Sequence, residues 1–267
     1  MRFLRFLAAA FCLAAFSCIQ PVRCEDEPEK KTPASPAALS KPRWEKGDSW
    51  TVETVTQKLQ GREADSKGTP NRIRWKFKVG DSEKVATRDC WRIDIECLAK
   101  GRLKPATKIW VDKDTLFLRR FQTELPVAGA LRTVEETYEP GDGGQSPVLP
   151  PINVLPVGLP AFIAGKPKGQ FKYTSQPTGQ SKDIGVKMRF AHAVTQDVQS
   201  PSAKSMEFIP RSLSKSLEKS PAVEVRLAAG QQSVTQLWQA ERPWPVYSND
   251  GHTQAWLVVE PAETQGK

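Results

Sequence analysis

Between Arg72 and Val79 apolar and cationic residues alternate: Ile73, Trp75, Phe77 and Val79 fall on one face of an extended chain, and Arg72, Arg74, Lys76 and Lys78 on the other. Successive side chains of a strand point to opposite faces, so this pattern specifies a β-strand with one dry and one wet surface. The same period recurs at residues 88–98, where Trp91, Ile93, Ile95 and Cys97 oppose Arg92, Asp94 and Glu96. Paired as neighbours, the two segments would match a basic outer row with an acidic one, each pair contributing about 0.2 to 1 kcal/mol. Further short segments rich in Val, Ile, Thr and aromatics read as strands at 49–59, 107–111, 115–123, 131–138, 170–175, 184–195, 222–228, 233–239 and 254–259, separated by Gly, Pro and Asp turn signals. Pro210 followed by Leu213, Leu217 and Lys219 marks the one helix worth naming, of two turns. The expectation is a mainly β protein: a curved antiparallel sheet or half-barrel with little helix.

The start of the chain belongs to a different category. Arg2 and Arg5 precede an uncharged apolar run from Phe6 to Phe16, eleven residues, which ends at Ser17 and Cys18. A membrane span needs about twenty, so the run reads as an export signal over residues 1–24. Small residues for a signal peptidase stand at Ala15 with Ser17, and less well at Val22 with Cys24. A cut before Cys18 would leave a cysteine at the new N-terminus, the lipid attachment residue of bacterial envelope lipoproteins, although Phe16 is bulky for that peptidase. Residues 25–43, rich in Glu, Lys, Pro, Ala and Ser, cannot bury enough apolar surface to offset the entropy of ordering and read as a disordered leader. The β-rich domain is expected over 44–260, in halves 44–140 and 166–260, with a tail at 261–267.

Between the halves, residues 143–165 carry no charge and five prolines, which precludes a helix through the stretch and a place in a central strand. The expectation is an extended apolar crossover packed over the open face of the sheet. Leu155, Leu159 and Phe162 are then the candidates to meet an apolar ligand held beneath it.

The formal charge of +9 falls to +6 once Arg2, Arg5 and Arg23 leave with the signal, and the remainder is spread evenly. A nucleic-acid protein concentrates its cations in a patch or arm, so no nucleic-acid partner is expected. Among the 5 cysteines, only Cys90 and Cys97 lie beyond the signal region; seven apart on one strand, they point to opposite faces and read as buried free thiols. With 2 histidines and no Cys-x-x-Cys, no metal site is expected, and no cofactor motif is present.

His192 sits in an apolar stripe and His252 in the turn Ser248-Asn249-Asp250-Gly251-His252. A secreted hydrolase would need one of them as its base, together with a nucleophile and an orienting carboxylate. Of the 8 tryptophans, Trp75 and Trp91 read as core, while Trp244-Pro245-Val246-Tyr247 reads as a stiff aromatic corner. Trp244 is also the candidate platform of a carbohydrate-binding module, since aromatic rings stack on sugar faces.

The stretch Lys108-Ile109-Trp110-Val111-Asp112-Lys113-Asp114-Thr115, followed by Leu116, Leu118 and Arg119, resembles the central hairpin of the exported half-barrel lipoprotein carriers of the LolA and LolB type. The resemblance covers at most residues 44–140, and it implies a sheet curled around an acyl chain. The chain lacks an evident amphipathic helix to plug such a sheet, and no binding residue is carried over. Together these readings lead to the expectation of an exported, non-enzymatic cell-envelope protein, periplasmic or extracellular, whose partner is an apolar ligand or an envelope component and whose mature chain has no transmembrane helix.

Overall fold

The computed structural model describes residues 42–56, 71–99, 106–127, 130–141, 168–178, 189–207, 209–220 and 222–258. The strands are β1 (Ser49–Thr56), β2 (Asn71–Val85), β3 (Arg88–Cys97), β4 (Ala106–Asp112), β5 (Leu118–Val127), β6 (Ala130–Pro140), β7 (Lys168–Thr178), β8 (Phe190–Gln199), β9 (Ala222–Ala229), β10 (Gln232–Gln239), β11 (Tyr247–Asn249) and β12 (Thr253–Val258). Two helices, α1 (Ala203–Glu207) and α2 (Arg211–Lys219), lie between β8 and β9. Each strand pairs antiparallel with its neighbour in sequence, and β1 pairs with β12, so the twelve strands form a closed barrel.

Closure corrects the expected half-barrel. Val52 faces Leu257 and Thr54 faces Ala255 across the β1–β12 seam, which joins the two expected halves into one sheet. There is then no open concave face for a crossover to cover: the oily rows turn inward and bury one another. Closing a sheet also removes the exposed edges that would otherwise template association.

The register follows the period-two pattern around the wall. Val52, Trp75, Ile95, Ile109, Phe121, Tyr138, Phe171, Val194, Val225 and Leu257 belong to inward rows and are all buried. The outward rows carry charge, with Lys76, Lys108, Lys172 and Arg226 exposed. A membrane-spanning barrel presents an apolar band on its outward rows, whereas these four positions carry cations. No helix among the described residues is long and apolar enough to cross a membrane. Lys76 opposes Glu96 and Lys78 opposes Asp94, the charge match expected between β2 and β3.

Three local departures have physical causes. A register shift between Val79 and Ser82 interrupts the β2–β3 ladder. A Cβ on Gly80 there would come within 2.9 Å of Arg92 Nη2, so the guanidinium lies close over the backbone of the bulge. Arg92 in turn donates to Glu83 (2.6 Å) and Asp94 (3.3 Å). Trp110 points outward yet is 4% exposed, because Glu83 accepts its indole N–H at 2.7 Å and the Arg120 guanidinium covers its ring at 4.5 Å. Trp91, expected in the core, is only half-buried and carries the Lys113 ammonium 3.7 Å from its ring centroid.

The β4–β5 connection differs from the reading of 115–123 as one strand, since Thr115–Phe117 belong to the turn. Asp112, fully buried, accepts from the Asp114 and Thr115 amides, from Arg88 at 2.8 Å and from Arg119 at 3.1 Å. Burial pushes this carboxyl's pKa up, but the Arg88 bond, the two amides and Arg119 outweigh it and hold the group well below the ordinary carboxylate range.

The helix reading at 210–219 is met by α2, whose Leu213 and Leu217 are buried; α1 and the three-residue strand β11 had no periodic signal. The connection lies over the outer face of the barrel and is tied down at both ends. Ser202 N–H donates to Glu224 (2.8 Å), and Gln239 Nε2 donates to the Ser220 carbonyl (2.6 Å). Leu237, on the outward row next to Glu224, is fully buried as a result.

Candidate functional site

The seam where the chain's two ends meet also builds a hollow. Upstream of β1, Gly47 N–H donates to the Val79 carbonyl and Val79 N–H to the Asp48 carbonyl, which fixes Trp44 against the barrel rim. Its indole donates to the Pro243 carbonyl at 3.0 Å. The corner 242–246 is anchored from the other side, with Val246 N–H on the Leu237 carbonyl and Leu257 N–H on the Val246 carbonyl. Between these anchors four rings pack together: Trp44 and Trp50 stack 6.1 Å apart, while Trp244 is tilted against Trp50 at 5.5 Å and against Phe77 at 4.6 Å. Aromatic pairs at these separations contribute about 0.5 to 1.5 kcal/mol each beyond the area they bury.

Beside the stack is a hollow of about 480 Å³ spanning β1, β2, β12 and the corner. Leu98, Pro243 and Val258 supply its apolar surface, the buried Trp50 and Leu257 lie behind it, and Lys76 and Arg242 bring positive charge to it. Leu98 is held there by its amide on the Arg74 carbonyl, and it is one of three large hydrophobic residues exposed among the described residues. Trp50 is 7% exposed, and its Nε1 is buried with no acceptor. A buried donor without a partner costs about 1 to 3 kcal/mol. Apolar surface and two cations together suit a molecule with an apolar part and an anionic end.

Trp244 is 1% exposed, with Trp44, Trp50 and Phe77 around it, so no ring face is left for a sugar and the platform reading is corrected to a packed corner. Leu155, Leu159, Phe162 and Cys18 lie outside the described residues. His192 stands on β8 opposite Tyr173 in the backbone register, whereas His252 is exposed in the β11–β12 turn with its amide on Asp250. The two histidines are on different elements, and the structure does not bring them together. Cys97 is on the inward row of β3 and Cys90 on its outward row; both are buried and free. Burial, with the Asp112 charge opposite, pushes the Cys90 thiol up to about 11, so it is protonated and unreactive at neutral pH. Among the described residues no three of His, Cys, Asp and Glu cluster as metal ligands.

Sequence reasoning missed the hollow because its residues come from three distant stretches, 49–51, 76–98 and 242–258. The one local signal was the aromatic corner at Trp244-Pro245. No family model, curated protein or solved structure matches the chain.

Proposed function

We propose that the protein is an exported, non-enzymatic binding protein of the cell envelope that holds an amphiphile, an apolar chain with an anionic end, in the seam hollow. The observation that carries this reading is the composition of that hollow, in which Leu98, Pro243 and Val258 lie beside Lys76 and Arg242. The leader read from the sequence directs the chain out of the cytoplasm, where acylated molecules and their breakdown products are abundant partners for such a surface. The likeness of residues 108–119 to the carriers' hairpin points the same way.

Each methylene that enters the hollow contributes about 0.8 kcal/mol, which tightens binding about fourfold. Affinity should therefore rise with chain length until the hollow is full. The test is a titration with anthroyloxy-labelled fatty acids of increasing length, read by fluorescence. Saturable binding is expected, weakened about tenfold by Leu98→Asp and less by Lys76→Glu, both at exposed positions whose change leaves the fold intact. No saturable binding at any chain length would overturn the proposal.

A further inference from the structure

The seam hollow continues along the outer wall past Lys76. In the strand register Val258 stands opposite Thr51, Thr51 opposite Lys76, Lys76 opposite Glu96 and Glu96 opposite Ala106, so one outward row runs from β12 to β4. With neighbouring strands about 4.8 Å apart, that row is about 19 Å long. Its β12 end lies in the seam hollow and its β4 end in a second hollow of about 540 Å³, and Lys76 lines both. The adjacent row sets Lys78 opposite Asp94 and Asp94 opposite Lys108 within the second hollow. Ala106, whose amide donates to Glu124 at 3.1 Å, adds only a methyl group there and leaves space between Glu96 and Lys108.

The second hollow holds accessible charge of both signs. Lys76, Lys78, Lys108 and Glu96 are exposed, and none of the four makes an ion pair among the described residues. Asp94, half-buried, gives one oxygen to Arg92 Nε at 3.3 Å. Exposed charges facing one another contribute about 0 to 1 kcal/mol a pair, so little is lost when these groups turn to a ligand. A fatty-acid carboxylate would meet Lys76 and Arg242 in the seam hollow and leave the second hollow unused. A head group with anionic charge alone would meet Asp94 and Glu96 as well as the lysines, and like charges repel. A head that carries a phosphate and, two carbons further on, an ammonium satisfies both sets: the phosphate between the three lysines, the ammonium at Glu96 and Asp94.

We infer that the amphiphile of the seam hollow is a monoacyl phospholipid with a zwitterionic phosphoethanolamine head, its chain against Leu98, Pro243 and Val258 and its head in the second hollow. This rests on the function proposed above and makes the head, rather than the chain, the source of selectivity. The test is isothermal titration of the full mature chain with three ligands of one chain length, below their micelle concentrations: myristate, and the myristoyl lysophospholipids with ethanolamine and with glycerol heads. The ethanolamine form is expected to bind about tenfold tighter than either of the others. Glu96→Gln, at an exposed position, should bring the two lysophospholipids to within about twofold of each other, and Lys108→Gln should weaken both about fivefold relative to myristate. Should Glu96→Gln fail to fold by circular dichroism, Asp94→Asn takes its place with the same expectation. Equal or weaker binding of the ethanolamine form than of the glycerol form, or a preference that the folded Glu96→Gln variant retains, would overturn the inference and leave the seam reading in place. No binding by any of the three would overturn both.

Discussion

Asp112 and Glu224 are both at 0% exposure, and each is surrounded by donors rather than by other acids. Burial raises the pKa of Glu224, but the Ser202 amide, Ser205 and Arg226 outweigh it and leave its pKa lowered, as happens at Asp112. A carboxyl whose folded pKa lies below its unfolded value stabilises the fold fully above that unfolded value, about 3.9 for Asp and 4.3 for Glu, and loses the contribution as the pH falls. Urea midpoints should therefore be level near neutral pH and drop below about pH 4, with a shallower drop in Asp112→Asn. Asp112→Ala at neutral pH should cost about 3 kcal/mol by urea denaturation, since it strands two guanidinium groups and two turn amides. Neither carboxylate was legible as a structural centre. Asp112-Lys113-Asp114 announces a turn, but nothing local says that Arg88 and Arg119 converge on it. The thiols were legible, because their odd spacing on one strand excludes a bridge; accordingly, neither should react with iodoacetamide at neutral pH until the protein is unfolded.

Among the elements, strands were readable where one face is dry and the other wet. Asn71–Val85 and Arg88–Cys97 carry that contrast through most of their length, and the structure extends β2 beyond Val79 only by means of the bulge at Gly80. Tyr247–Asn249 was not readable as a strand, because three residues are too few to show a period. The turn between β2 and β3 holds Ala86 at φ +53°, a left-handed conformation that disfavours any residue with a Cβ. Ala86 is exposed and packs nothing, so Ala86→Gly should raise stability by about 0.5 kcal/mol, measured as a shift in urea midpoint at constant slope. The α2 helix depends on tertiary packing rather than on its own propensity, being nine residues long. Leu213→Ala should thus cost about 2 to 3 kcal/mol and let the amides of α2 exchange faster.

For the whole molecule, alternation fixes that the fold is a sheet with one buried face, but it does not fix how that face is covered. An open sheet capped by another segment and a sheet closed on itself present the same period-two pattern. The choice is made by pairing between β1 and β12, about two hundred residues apart, which no local signal encodes. Closure also creates the candidate binding hollow, because Trp50 and Thr51 on one side and Leu257 and Val258 on the other come together only at the seam. The most direct test of the account is a nuclear Overhauser measurement of backbone proximity across that seam in isotope-labelled protein. The closed barrel predicts cross-strand contacts linking Val52 with Leu257 and Thr54 with Ala255, and slow amide exchange in both strands. Absence of those contacts, with β1 and β12 exchanging as unpaired edges, would contradict the closed wall and the hollow built on it.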